Sequence, residues 1–461
     1  MKLLSILFAS LLYVYAAEFS GTGFGPTIKV AKQEALSDLS QSIKAEVKST
    51  FSNSQSLKSG KTDKTVSSNI VVSSNLPIIG AEFELFDNRD NVEALVELSP
   101  KKAKVLYKKR ISQLSKEIYT LDRDIKKAKK PEIKVVLLQK LLQNLKEFDR
   151  YYSVGVILGL KDIKTPDITK ASVENELLKL HNNIETLNQA AMHIAKTFQA
   201  YKNIYLYPPK VDNSHEITPF AKALSMKIKP YIDTASNLQN ASYQLVGDYI
   251  YNKRGLILNY TLIDTDTHEN IGSKTITIEP EAYKDYRVSS KTLSFDKLLH
   301  DGVVVSNSLR ASITTNKGSE FLLFTEHEEI ELLIKLNKMG YYYIVGYTQT
   351  THGKHAYLLE LNESQGDSRF KGFINADDVN HWISLGTFCV EAPFGIESLQ
   401  LVTSNRDFKA LPPHRFDAKS GYFLIGEGVT EGLNKTRGLI RKQSKKREIS
   451  EAVLFFTTSK R

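Results

Sequence analysis

The apolar and polar positions of residues 18–100 predict one helix followed by short strands. A glycine-rich turn, Gly21–Gly25, leads into a helix over Thr27–Val47, where apolar residues recur every three or four positions: Ile28, Ala31, Ala35, Leu39 and Ile43. Polar residues 49–69 predict a loop or an exposed strand pair. Three β-rich runs follow: Ile70–Val72, Glu82–Phe86 and Val92–Leu98. The pattern is typical of a small α+β domain.

Residues 101–201 carry a helical pattern with basic outer faces. Two helices, Lys102–Lys129 and Glu132–Phe148, are separated by Pro131. The first has one apolar seam: Leu106, Ile111, Leu114, Ile118, Leu121 and Ile125. A third helix is predicted from Ser172, as its N-cap, to about Tyr201. The seam lacks the repeated heptads of a long coiled coil, so we expect helical packing within the chain or with a partner helix.

Residues 202–285 mix strand and helix patterns, as an α/β unit does. The predicted elements are the strand Ile204–Leu206, a helix over Phe220–Lys229, a hairpin of Tyr243–Ile250 with Gly255–Asp264, and the strand Glu269–Ile278. Residues 286–461 are mostly strand-like and punctuated by glycines, which predicts an antiparallel sandwich. Its candidate strands are Glu328–Leu336, Tyr341–Gln349, His355–Leu361, Phe388–Val390, Glu397–Thr403 and Ser450–Thr458, with the basic stretch Lys435–Arg447 just before the last.

Together these segments predict an α+β multidomain protein: a small α+β domain, a helical hairpin region, an α/β domain and a C-terminal, mostly antiparallel β domain. The length of 461 residues exceeds what a single core usually supports. Hydrophobic residues make up 41% and charged residues 25%, values of an ordinary globular protein. This composition excludes a fibrous repeat, a largely disordered chain and a polytopic membrane protein.

Residues 1–17 have the pattern of a secretory signal peptide. Lys2 is followed by the apolar run Leu3–Tyr15 and by Ala16 and Ala17, after either of which we expect cleavage. The run is too short to span a bilayer, and no cysteine near it could accept a lipid anchor. We therefore expect a periplasmic protein, or one peripheral to the outer membrane.

The net charge of +10 is concentrated in residues 101–150, which carry sixteen Lys or Arg against six Asp or Glu. Anionic lipid headgroups or cell-wall polymers are candidate partners for these helices, and a solvated helical face is the simpler interpretation. Nucleic acid is not expected, because the chain is exported and aromatic residues are not interleaved among the lysines.

No group of residues predicts catalysis, a cofactor or a metal. Gly21–Gly25 lacks the spacing of a phosphate-binding loop, and His352 with His355 lacks further zinc ligands. The acidic pairs Asp264/Asp266 and Asp377/Asp378 fit turns better than a calcium loop. The sequence therefore predicts no catalytic, cofactor-binding or metal-binding residue.

Two single residues could be chemically modified, a cysteine and an asparagine. Cys389 is the only cysteine, so the chain forms no internal disulfide, and its apolar neighbours predict a buried, inert thiol. Asn362 lies in Glu360–Ser364, which resembles the extended acceptor of bacterial N-glycosylation. Whether Asn362 is modified depends on the host.

Three segments resemble known bacterial domains. Gly23–Thr27, Glu34–Leu36 and Asn91–Val96 resemble the LPP-type conserved lipoprotein domain and the N-terminal domain of the flagellar protein FlgT, a family that begins with a glycine-rich strand. This chain lacks that family's lipid-accepting cysteine. Residues 243–249, 256–264 and 271–278 resemble the TolB N-terminal type of domain, also found in the middle of FlgT and in lipoproteins such as CsgG. Residues 340–344, 392–395 and 437–439 resemble a C-terminal domain of unknown function.

These resemblances imply a non-enzymatic envelope scaffold or assembly protein, and most specifically a periplasmic component of the flagellar motor. Its expected partners are envelope or motor proteins, or further copies of itself. Its expected contact surfaces are the basic hairpin Lys101–Lys130 and exposed sheet edges, which can accept a partner strand. The alternative is a binding module that regulates an envelope enzyme, such as a cell-wall synthase. A hydrolase that uses His352 and His355 is the third hypothesis.

Overall fold

A computed structural model describes residues 19–25, 27–57, 76–88, 91–161, 163–180, 184–212, 214–238, 240–301, 303–304, 306, 308–350, 353–444 and 447–460. The predicted signal peptide over residues 1–17, the predicted strand Ile70–Val72 and His352 lie outside these residues. The described part of the chain is an α+β multidomain structure with mostly antiparallel sheets, as predicted. None of its helices combines the length and the apolar character that crossing a membrane requires.

Eight helices lie in the described segments: α1 (Ile28–Leu57), α2 (Pro100–Lys127), α3 (Pro131–Ile157), α4 (Lys170–Leu177), α5 (Leu187–Phe198), α6 (Pro219–Ile228), α7 (Leu293–Asp301) and α8 (Val429–Ser444). The first nine strands are β1 (Ser20–Gly25), β2 (Glu82–Asn88), β3 (Asn91–Glu97), β4 (Ile204–Leu206), β5 (Lys210–Val211), β6 (Tyr243–Asn252), β7 (Gly255–Asp264), β8 (Asn270–Ile278) and β9 (Ala311–Thr315). The others are β10 (Leu322–Thr325), β11 (Glu329–Leu336), β12 (Gly340–Thr350), β13 (Gly353–Leu358), β14 (Gly372–Ile374), β15 (Ile383–Cys389), β16 (Gly395–Ser404), β17 (Arg415–Asp417), β18 (Tyr422–Gly426) and β19 (Ile449–Ser459).

The first unit is a three-stranded antiparallel sheet, in the order β1-β3-β2, with α1 packed on it. The glycine-rich turn predicted at Gly21–Gly25 is wrong, because these residues form β1 and pair with β3. A Cβ on Gly21 would lie 2.3 Å from the Ala35 carbonyl oxygen, and one on Gly23 would lie 2.2 Å from that of Ala31. The glycines therefore let the strand backbone contact the helix backbone directly.

α2 and α3 form the predicted helical hairpin. Pro131 lies in the first turn of α3, where its missing N–H breaks no helical hydrogen bond. The predicted seam of α2 is buried except at Leu106, which is 42% exposed. Tyr107 and Ala103 take its place, because they keep the spacing of four residues that ends at Ile111.

The single helix predicted over Ser172–Tyr201 is wrong, because this segment forms α4 and α5. The Thr169 hydroxyl accepts from the Ser172 N–H, so Thr169 rather than Ser172 is the N-cap of α4. α5 has its own start signal, a capping box in which Thr186 and Gln189 each accept from the other's backbone N–H. The capping box starts a new helix within a continuous apolar stripe.

The central unit is a five-stranded sheet in which β4, β6, β7 and β8 follow in this order and β5 also pairs with β6. β4 and β5 run parallel to β6, and the predicted hairpin is β6 with β7. The helix predicted over Phe220–Lys229 is α6. It packs with α5 on one face of the sheet, around a core that contains Phe198, Phe220 and Leu262.

The C-terminal unit pairs an eight-stranded sheet with a three-stranded sheet of order β15-β11-β9. The larger sheet follows the order β10-β19-β16-β12-β13-β18-β17, with β14 also paired to β12, and only β10 with β19 is parallel. Ile344 and Leu401 belong to the core between the two sheets, whereas Tyr343 and Val402 face the opposite core with α7 and α8. Alternate residues of each strand therefore fill two different cores.

The sequence analysis did not predict α7 or α8, and the basic stretch Lys435–Arg447 lies mostly within α8. Arg437 joins the two helices, because its guanidinium donates to the carbonyl oxygens of Leu298 and Leu299 at 2.7 and 2.6 Å. A charged side chain thus adds hydrogen bonds between α7 and α8 to the apolar core that the two helices share.

The prediction of a buried thiol at Cys389 is wrong. Cys389 is the last residue of β15, which pairs only with β11 among the strands given above, and its side chain is exposed. Phe388 is 40% exposed, and only Val390 of the predicted strand is buried. The apolar run is an edge strand, whose outer side has no neighbour to bury it.

Candidate functional site

A cavity of about 260 Å³ lies where the first unit, the helical hairpin, the central unit and the C-terminal unit meet. Its walls come from α1, the C-terminal half of α3, one face of β6 and β7, and the connection from β9 to β10. The segment Leu76–Ile79 closes one side. Tyr107 of α2 holds this segment, because its hydroxyl donates to the Pro77 carbonyl at 2.5 Å and accepts from the Ile79 N–H at 3.3 Å.

The polar face of α1 forms one wall. The apolar positions of this helix pack on β1 and β3, so the opposite positions point away from that sheet: Gln33, Ser37, Ser40, Gln41 and Lys44. A surface helix normally turns such a face to bulk water. Here the face lies across the cavity from the central sheet.

The second face of the central sheet forms the opposite wall. Gln244 and Val246 of β6 alternate with residues that face the apolar core, and they pair with Ile263 and Thr261 of β7. The wall therefore mixes an amide, a hydroxyl and two aliphatic side chains. Such a mixed surface binds polar molecules that also carry apolar atoms.

Two polar contacts clamp the first unit to the C-terminal unit beside the cavity. Lys44 Nζ donates to Glu320 Oε1 at 2.9 Å, and Ser312 donates to the Gln41 side-chain oxygen at 2.8 Å. Both pairs lie at the edge of the space that the two walls enclose. Specific hydrogen bonds therefore join α1 to the C-terminal unit beside the cavity.

Arg150 supplies a cationic group that the protein leaves available. Its side chain lines the cavity and makes no hydrogen bond or ion pair with the described residues. The neighbouring carboxylate of Glu147 is already bound to Arg110 at 2.7 Å. At longer range, the charge of Arg150 helps to lower the pKa of Asp248.

An ion pair between Lys146 of α3 and Asp248 of β6 joins the hairpin to the central sheet. Burial raises the pKa of Asp248, but the ammonium of Lys146 and the Asn259 amide outweigh burial and hold that pKa below its usual value. Burial also raises the pKa of Asp212 and of Glu174, against the opposing charge of Lys146. The interface thus combines a partly buried charge cluster with apolar contacts, which include Ile257 of β7.

Lys210 lies next to an aromatic residue of the cavity, Phe321. Its ammonium is 4.5 Å from the centre of the Phe321 ring, and it makes no hydrogen bond to any residue the structure describes. Phe321 packs on Tyr207, with 5.2 Å between ring centres, and both rings line the cavity. Burial lowers the pKa of Lys210.

The outer face of α2 is basic. Seven exposed lysines on α2 and the turn after it make no ion pair or side-chain hydrogen bond within the described part of the chain: Lys101, Lys108, Lys109, Lys116, Lys127, Lys129 and Lys130. We call these seven residues the basic face. Those on α2 lie opposite its buried seam, because the helix turns about 100° per residue.

The structure separates the other residues that the sequence analysis considered. His355 lies in β13, Asp264 accepts from the backbone N–H groups of Asp266 and Thr267 as a turn residue does, and Asp377 lies in a connection. No three His, Cys, Asp or Glu side chains are grouped for a metal within the residues described. The Asn362 amide nitrogen donates to the carbonyls of Ser368 and Lys371, at 3.2 Å each.

A buried carboxyl group gives the C-terminal unit a pH-dependent stability. Burial raises the pKa of Glu397 to about 8, against a hydrogen bond of 2.6 Å from the Thr348 hydroxyl. In the unfolded chain this carboxyl titrates near 4.5, so its stabilising effect is complete below that pH and is lost as the pH rises towards 8.

We therefore expect Glu397→Gln to raise the free energy of unfolding at pH 8 by about 2–3 kcal/mol and to change it little at pH 4.5. Glutamine keeps the acceptor for Thr348 but carries no charge at either pH. Thermal unfolding at the two pH values measures the effect, and Glu360→Gln, on an exposed connection, is the control. Equal changes at both pH values would contradict the prediction.

The sequence analysis missed the cavity, and only part of it was visible in the sequence. The spacing of polar residues on α1 indicated one polar face, but a face exposed to solvent gives the same pattern. Lys44 and Glu320 are 276 positions apart, so no local pattern brings them together.

No known family model and no curated protein matches the sequence. The chain is similar to the secreted protein HP1454 of Helicobacter pylori, at 13% identity and a TM-score of 0.24, over 60% of this chain and 92% of that one. It is also similar to TolB of Acinetobacter baumannii, at 10% identity and a TM-score of 0.12, over 49% of this chain and 71% of that one. TM-scores this low do not show a shared fold, so neither similarity assigns a family or a function to the chain.

Proposed function

We propose that this chain is a non-enzymatic scaffold or assembly protein, exported to the bacterial cell envelope, that docks on its partners through the basic face. The observation that carries the proposal is the row of exposed lysines that have no ion pair among the described residues. The signal-peptide pattern of residues 1–17 supports export.

The basic face suits recognition of an acidic protein surface or an anionic polymer. Lysines at the rim of an interface mainly steer association and select partners by charge, because exposed pairs add little affinity each. Lys102 of α2 already pairs with Glu82, and Lys126 with Asp122, whereas the lysines of the basic face remain available. A partner with a matching acidic surface would complete these pairs.

The ion pairs between units support a scaffold function, because they fix the units relative to one another. Arg110 pairs with Glu147 within the hairpin, Lys146 pairs with Asp248 of the central unit, and Lys44 of the first unit pairs with Glu320 of the C-terminal unit. A partner held on α2 would thus be held at a defined place relative to the other units.

In its most specific form, the proposal assigns the chain to the periplasmic part of the flagellar motor. The resemblance of the first and central units to the domains of FlgT supports this form. Regulation of a cell-wall synthase is the alternative, and the same experiment distinguishes the two.

The test is in-cell crosslinking of a tagged full-length chain, followed by mass spectrometry of the captured proteins. We expect envelope structural proteins among the specific partners, with motor, ring or disk proteins supporting the flagellar form. Cell-wall synthases without motor proteins would overturn the flagellar form and favour the regulator.

Matched charge variants test the role of the basic face. Glutamate replaces Lys101, Lys108 and Lys116 in one variant, and the control replaces three exposed lysines elsewhere: Lys196, Lys253 and Lys419. Both variants change the net charge equally. We expect only the first to lose the partners, and equal capture by both would contradict docking through the basic face.

A further inference from the structure

We propose that the cavity between the units is a binding site for a small acidic saccharide, a sugar that carries one carboxylate together with hydroxyl or amide groups. This inference goes beyond the scaffold function and does not depend on it. It rests on the size of the cavity, on polar side chains that have no hydrogen-bond partner among the described residues, and on the placement of Arg150.

The size favours a ligand of monosaccharide dimensions. The volume of about 260 Å³ lies below the roughly 300–1,000 Å³ of sites that enclose drug-sized molecules. Glu269 and Asn270 line the cavity and are exposed to solvent, so a ligand has a way in.

The polar lining is only partly satisfied by the protein. The side chains of Gln33, Ser40 and Gln244 make no hydrogen bond with any residue the structure describes, although all three are half-buried and line the cavity. Their polar atoms are accessible to water, so they are free to exchange water for a ligand's hydroxyl groups. Gln33 on α1 and Gln244 on β6 offer both donors and acceptors, as ring hydroxyls require.

Arg150 selects a carboxylate. A guanidinium presents a planar pair of donors that matches the two oxygens of a carboxylate, and such charge-assisted pairs are stronger than neutral hydrogen bonds. The carboxylates of Glu147 and Glu320 are already bound to Arg110 and Lys44. Glu269, an exposed carboxylate of the same lining, makes no ion pair with Arg150. Arg150 therefore keeps a positive charge with which a ligand carboxylate can pair.

Aromatic rings supply the apolar part of the site. Tyr151, Tyr207, Phe321 and Trp382 line the cavity, and Lys335 lies 4.8 Å from the centre of the Trp382 ring. Flat rings beside hydrogen-bonding groups can cover the C–H face of a sugar while its hydroxyls meet the amides. A free phosphate is less suited, because α1 and α3 reach the cavity through their middle and C-terminal turns rather than through N-terminal N–H groups.

The test is isothermal titration of the purified full-length protein with glucuronate and with N-acetylmuramate. Glucose and N-acetylglucosamine are the matched neutral sugars, and inorganic phosphate is the third probe. We expect saturable binding of at least one acid, about tenfold or more tighter than its neutral partner, because a charge-assisted hydrogen bond is lost with the carboxylate. Absence of saturable binding by both acids, equal binding of the neutral sugars, or tighter binding of phosphate would overturn the proposal.

Two variants locate the binding. Arg150→Lys keeps the charge but loses the planar fork, so we expect binding to weaken about tenfold. Arg123→Lys makes the same change on an exposed part of α2 and should bind as the wild type does. If Arg150→Lys alters folding, Gln33→Ala, on the cavity face of α1 and away from its apolar core face, provides a second site variant. Binding that is unchanged in both Arg150→Lys and Gln33→Ala would place the ligand elsewhere.

Discussion

Asp248→Asn should lower the free energy of unfolding by about 3 kcal/mol, because the ammonium of Lys146 loses its hydrogen-bonded carboxylate in a largely enclosed interface and keeps only the nearby charges of Asp212 and Glu174. The side chains of Lys146 and Asp248 are only 20% and 22% exposed. Removal of one partner from such a pair costs more than the pair itself contributes, since the remaining charge stays desolvated.

Urea unfolding of Asp248→Asn and of the double variant Asp248→Asn/Lys146→Met measures this effect. We expect the double variant to regain part of the lost stability, because methionine removes the desolvated ammonium and keeps its apolar contacts. The surface pair of Lys126 and Asp122 is the control, and Asp122→Asn should change stability by about 0.5 kcal/mol or less. A double variant no more stable than Asp248→Asn would contradict the explanation.

The pH dependence gives a second measurement of the same pair. The folded pKa of Asp248 lies below its ordinary value of 3.8, so its contribution is present above pH 3.8 and is lost as the pH falls through the folded pKa. Asp248→Asn should therefore lose more stability at neutral pH than in acid.

Gly23→Ala should destabilise the chain by about 3 kcal/mol, the upper end for an overpacked core. The new Cβ would lie 2.2 Å from the Ala31 carbonyl oxygen and 2.3 Å from the Ala35 N atom. Both atoms belong to the backbone of α1, so no side chain can move aside and β1 must separate from the helix.

The same substitution at Gly438 is the matched control. A Cβ there meets nothing within 4 Å, and the position is exposed within α8. Because alanine favours helices over glycine, Gly438→Ala should stabilise by about 0.5–1 kcal/mol. Thermal unfolding of both variants compares them directly, and a loss of less than about 1 kcal/mol in Gly23→Ala would show that β1 does not contact α1 so closely.

Local sequence patterns correctly predicted the elements whose apolar residues recur at the spacing of a single helix or strand. The seam of α2, the break at Pro131 and the hairpin of β6 with β7 depend on residues close in sequence, and the structure confirms them. The same reasoning failed at Cys389, because alternation cannot show whether a strand lies at an edge or between two neighbours.

Two further errors have the same origin. The glycines of β1 have the sequence pattern of a turn, and only the contact with α1 shows that they make room for the helix backbone. The apolar stripe from Leu177 to Ile194 runs through both α4 and α5, so it predicted one helix. The capping box at Thr186, which starts the second helix, is a weaker sequence signal than the stripe. Nothing local predicted the cavity, because its walls come from all four units.

The position of β19 in the larger C-terminal sheet has a consequence for biosynthesis. β19 lies between β10 and β16, although the ribosome makes it after every other strand of that sheet. β10 can therefore pair only after a strand on the order of a hundred residues later has been synthesised. Contacts between residues so far apart in sequence slow folding. A nascent chain interrupted before Ile449 would expose two open sheet edges and be prone to aggregate, so this unit reaches its final topology last.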